Sequence, residues 1–97
     1  MVIVWRKLAL LQVHKIYNYI KKDSLQSAKK VREKTFKRAE ELKHNPTIYP
    51  LDKYRKNNNG SFRAFEVYNY RIAYQITKSE VRILRVRHTS REPKELK

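Results

Sequence analysis

The sequence predicts an α+β domain of order β-α-α-β-β-β, with a helical hairpin packed on one face of a small, mainly antiparallel sheet. Three observations carry this. Apolar residues recur at helical spacing through the first half of the chain. In the second half they alternate, or run together, in three short stretches. The breaks between those stretches are so short that only tight turns fit them.

Val2, Ile3, Val4 and Trp5 are apolar and mostly β-branched, which suits a short first strand. Leu10, Val13, Ile16, Tyr17 and Ile20 then line one face of a helix over residues 7–22. Asp23 with Gln26 has the spacing of a capping box, and Ser24 is the alternative cap. A second helix follows, with Ala28, Val31, Thr35, Ala39 and Leu42 inward and Lys29, Lys30, Glu33, Lys34, Lys37 and Glu41 outward. Pro46 stops it, and the short connection makes the two helices antiparallel.

Residues 45–60 read as a loop, with Pro46, Pro50 and the turn-forming run Asn57-Asn58-Asn59-Gly60. Strands follow over residues 62–68, 70–77 and 80–88. In the second of these, Tyr70, Ile72, Tyr74 and Ile76 point to the core, which leaves Arg71 on the open face. The last strand changes phase between Val81/Ile83 and Leu84/Val86. Either it is buried on both faces or a bulge interrupts it, and the face of His88 stays open at this point.

The 97 residues form a single domain, residues 1–97, with 40% hydrophobic and 11% aromatic residues, enough for a modest core. Net charge is +15, which attracts polyanions. Nucleic acid leads as a partner class, an acidic protein comes second and an anionic membrane surface third. Arginine is scarce up to Pro50 (Arg6, Arg32 and Arg38) and predominates afterwards, at positions 55, 63, 71, 82, 85, 87 and 91. Its rigid donor fork suits recognition more than solvation. The chain lacks cysteine, so disulfides and thiolate metal sites are excluded. The three histidines are scattered and no carboxylate cluster joins them, so neither a metal site nor a cofactor is expected. With no long apolar stretch, the expected location is the cytoplasm, without membrane association.

The closing stretch brings arginine together with His88, the side chain type that most readily moves a proton near neutral pH. That pairing points to phosphodiester handling. The loop adds Lys53, Tyr54, Arg55 and Lys56, three cations around one aromatic ring.

The element order, the Gly-x-x-Arg entry at residues 60–63, Tyr-Arg-Ile-x-Tyr at residues 70–74 and the closing strand running into Arg87-His88-Thr89-Ser90-Arg91 resemble the RelE/ParE superfamily. These are toxins of type II, plasmid-stabilising toxin–antitoxin systems. The resemblance spans essentially the whole chain. It implies a small antitoxin partner, acidic where it wraps the toxin, and one of two activities. RelE-like members are metal-independent endoribonucleases, mRNA interferases that cleave messenger RNA on the ribosome. ParE-like members inhibit DNA gyrase by binding.

The nuclease reading is the first expectation. In it the 2′-hydroxyl attacks the adjacent phosphate, which requires a base, a stabiliser of the charged phosphorus and an acid. The resemblance then makes Arg71 the phosphate clamp, Arg63 a second clamp, His88 the general acid and Arg91 part of the basic end. Lys53, Tyr54, Arg55 and Lys56 would grip RNA, with Tyr54 stacking a base, and Arg85 and Arg87 would line the RNA face. The paired lysines and the tyrosine that some members use near the C-terminus are not recognisable, and a general base is missing. Glu66 is the carboxylate closest to fitting. This departure motivates the gyrase alternative.

Plainer readings stand beside these. Arg71 can pair with Glu66 across the sheet, and His88 can hydrogen-bond a loop. Tyr70 and Tyr74 suit the core. A third reading, a nucleic-acid-binding protein without toxicity, lacks the element order of an RRM and any helix-turn-helix pattern.

Overall fold

The computed structural model describes residues 1–91, and of Arg91 only the backbone. Strand β1 (Val2–Trp5) leads directly into α1 (Lys7–Lys21). Helix α2 (Leu25–Glu41) runs back, and β2 (Phe62–Val67), β3 (Tyr70–Ile76) and β4 (Glu80–His88) complete the order, followed by a 3-10 turn, Thr89–Arg91. The sheet order is β1-β4-β3-β2. The β2–β3 and β3–β4 pairs are antiparallel, whereas β1 pairs with β4 in parallel. The predicted α+β hairpin-on-sheet architecture is the one the chain adopts.

Ser24, not the Asp23/Gln26 pair, caps α2: its Oγ accepts from the Ser27 backbone N–H at 3.1 Å. Both residues were available, but Ser24 has the extended backbone of a cap, with φ −156° and ψ 109°. The helix ends at Glu41, before Pro46 can act on it. Ala28, Thr35 and Ala39 on α2 and Ala9 and Val13 on α1 are buried, so small residues bring the hairpin close to the sheet. The core is Phe65, Val67, Ile72, Tyr74, Val81, Ile83 and Val86 from the sheet, joined by Leu42 after α2. Trp5 meets Phe36 of α2 with ring centroids 4.7 Å apart.

The phase change in the last strand is a bulge. Ala73 pairs with Arg85 but Tyr74 pairs with Ile83, so Leu84 is the extra residue. The bulge lets Val81, Ile83 and Val86 all face the helices despite their uneven spacing. It also settles His88. His88 pairs with Tyr70 and lies in phase with Val86, on the helix side.

Candidate functional site

Pairing register assigns every arginine of the sheet to a face, because directly opposed residues project to the same side. Arg63 opposes Tyr74, Phe65 opposes Ile72 and Val67 opposes Tyr70, so Arg63 belongs to the helix side. Arg71 opposes Glu66 on one neighbour and Arg87 on the other, and Arg85 opposes Ala73; these lie on the open side. Arg63 and Arg71 therefore do not share the bare face that adjacent strands suggested. The reason is phase. Both strands alternate, but Arg63 is in step with the inward residues of β2, while Arg71 is out of step with those of β3.

Each arginine is tied to the loop over residues 45–60. The Nη1 of Arg63 donates to the carbonyls of Tyr49 at 2.7 Å and Thr47 at 3.3 Å. Beside it, the hydroxyl of buried Tyr74 donates to the Pro46 carbonyl at 2.6 Å. Burial pushes the Tyr74 phenol up to about 12, with the Arg63 charge pulling it partly back. Arg71 meets the Asp52 carboxylate at 3.0 Å and Glu66 at 3.8 Å. Its guanidinium carbon lies 5.0 Å from the Tyr54 ring centroid. The Arg71 side chain is 13% exposed and that of Asp52 4%, so the closer pair is internal, whereas Glu66 is 51% exposed.

The sequence reading passed over Asp52, yet it organises the loop. Its backbone N–H donates to Phe62 at 2.9 Å, and Leu51 bridges to Arg63, so the loop covers the outer edge of β2. Its carboxylate also accepts from the Tyr54 N–H at 3.0 Å, an Asx turn. The available signal was a lone acidic residue heading Lys53-Tyr54-Arg55-Lys56, two residues before a partner amide. Asn58 closes the far end, donating to the Phe62 carbonyl and accepting from the Gly60 and Phe62 amides.

The proposed RNA grip is thus partly folded back on the domain. Arg55 lies 3.9 Å over the Phe62 ring, Tyr54 faces both Lys53 and Arg71, and Lys53 and Lys56 are exposed. His88 packs edge-on against Tyr70 at 5.3 Å. Its Nδ1 accepts from the Ser90 N–H at 3.1 Å and lies 2.7 Å from the Ser90 hydroxyl, so in the neutral ring Nε2 carries the proton. Arg63 and His88 share a face but are separated by β3 and four residues along it, on the order of 15 Å by strand geometry. The side chain of Arg91 lies outside the described residues.

Arg82 pairs with Glu80 at 3.2 Å. Arg85 and Arg87, half-buried on the open face, have no ion pair among the described residues. That face is consequently the part of the sheet where a polyanion meets uncommitted guanidinium groups.

The fold has a solved counterpart. A chain in the structure titled "Chromosomal ParDE TA system from P. aeruginosa" superposes with a TM-score of 0.70, covering 91% of this chain and 95% of that one at 18% sequence identity. No curated protein sequence matches the chain. Among the described residues, no helix is long and apolar enough to cross a membrane. The family model described as the ParE toxin of the type II toxin–antitoxin system, parDE, matches residues 3–93. With nearly the whole domain matched, the chain belongs to the ParE toxin family, within the RelE/ParE superfamily, and is a toxin of a type II toxin–antitoxin system.

Proposed function

We propose that this toxin acts by contact with DNA gyrase and performs no nuclease chemistry. The observation that carries the reading is the ParE family match over residues 3–93, which favours binding over cleavage. The sheet register supports it. Arg63, Arg71 and His88 would have to converge on one phosphate for the nuclease route, and they are divided between two faces and separate loop ties. Glu66, the candidate base, sits against Arg71.

The second partner in this reading is a small antitoxin whose acidic segment meets the +15 domain. Supercoiling by purified gyrase tests the first part: inhibition at micromolar toxin, relieved by antitoxin, is expected, and full supercoiling activity at that concentration removes the gyrase reading. Arg85 and Arg87, without carboxylate partners among the described residues, favour one second reading, an mRNA endonuclease of the RelE kind. That reading requires new transcript ends in cells making the toxin.

A further inference from the structure

Arg71 and Arg87 are direct cross-strand partners on the open face. Two guanidinium groups in that position repel each other unless an anion lies against them. Arg71 has one, Asp52, at 3.0 Å. Arg87 has no ion pair among the described residues, and its Nε is buried with no acceptor there. A buried N–H left without a partner is costly, and it marks a place where an acceptor would be gained.

Asp52 does not reach this place from the sheet itself. It arrives on the loop, fixed by its N–H to Phe62, by the Tyr54 amide on its carboxylate and by the Asn58 closure beyond. A carboxylate delivered on a tethered segment has a high effective concentration. It offers two oxygens and one charge, and those oxygens are already shared between Arg71 and a backbone amide. A phosphate brings more oxygens and more charge, and it matches paired guanidinium forks better.

We propose that Arg71 and Arg87 form a phosphate-binding site on the open sheet face, and that the Asp52 carboxylate is its built-in competitor. An arriving phosphate bridges the two arginines only by displacing Asp52 from Arg71, so the site is damped in the free toxin. This does not rest on which macromolecule the toxin attacks, and it holds whether or not gyrase is inhibited.

The test uses the full chain with inorganic pyrophosphate as probe, followed through the arginine Nε–H resonances. In the wild-type chain, the Arg71 and Arg87 signals should move together. Asp52→Asn keeps the acceptor for the Tyr54 amide but removes the competing charge, and should bind pyrophosphate about tenfold tighter. Adding Arg87→Ala to that variant should remove the gain. Glu80→Gln is the control: it removes one carboxylate from the same strand system, beside Arg82 rather than Arg71. Equal tightening in Glu80→Gln would reduce the effect to overall charge and overturn the proposal. So would unchanged affinity in Asp52→Asn. If that variant fails to fold, the wild-type titration decides: joint movement of the Arg71 and Arg87 signals supports the site, and shifts confined to other side chains overturn it.

Discussion

Arg63 and Arg71 stand on neighbouring strands, and both are bound to the same loop, but from opposite faces of the sheet. On the helix side, Arg63 sits at the margin of an apolar layer and spends its donors on the carbonyls of Thr47 and Tyr49. On the open side, Arg71 belongs to a charged layer with Asp52, Glu66, Arg85 and Arg87. The first contact is neutral at its acceptors and holds backbone. The second is an ion pair, and it sets the charge that a partner meets. One residue type thus does two jobs, and strand phase alone decides which.

The contrast is open to mutation. Asp52→Ala should have the largest effect, because it leaves the Arg71 cation nearly buried and poorly compensated; a loss of about 3–5 kcal/mol is expected from urea unfolding. A loss below 1 kcal/mol would mean that Glu66 and solvent suffice for Arg71. Arg63→Ala should cost about 1–3 kcal/mol, since it strands two loop carbonyls rather than a charge. Amide exchange should then quicken across residues 45–60 while α1 and α2 stay protected; uniform loosening would contradict the assignment of Arg63 to the loop.

Tyr74→Phe should cost about 1–2 kcal/mol by removing the donor to Pro46. This variant also carries a pH signature. The folded phenol is pushed up to about 12, above the ordinary value of 10.0, so Tyr74 adds no pH dependence below 10. As pH rises from there toward 12, the unfolded chain loses this proton first, and stability falls. The wild-type minus Tyr74→Phe difference in stability should therefore shrink over that window, and a constant difference would refute the burial effect. Ser24→Ala should cost about 1 kcal/mol through the lost α2 cap, whereas Asp23→Ala should stay within about 0.5 kcal/mol. Reversed ranks would restore the capping box.

Much of this fold was legible because each element advertises itself locally. Tyr70, Ile72 and Tyr74 alternate in step with the sheet pleat, and the apolar stripes of α1 and α2 repeat at helical spacing. The candidate site was less legible, because it depends on register and on a loop. The face of His88 turns on one extra residue, Leu84, and a bulge leaves only an ambiguous change of phase in the sequence. Arg63 read as a partner of Arg71 because both follow the family pattern, but in β2 its phase matches Phe65 and Val67. Asp52 was hidden differently. It lies far from Arg71 in sequence, and a carboxylate inside a basic loop reads as solvated until the loop is seen folded onto the sheet edge.

Transcript-end mapping in cells that produce the toxin tests the central claim most directly, that the arginines and histidine of this sheet do not work together on a phosphodiester. Growth should stop with transcript ends unchanged. New ends that appear with the wild-type chain, and vanish in an Arg71→Ala variant shown to remain folded, would contradict the account.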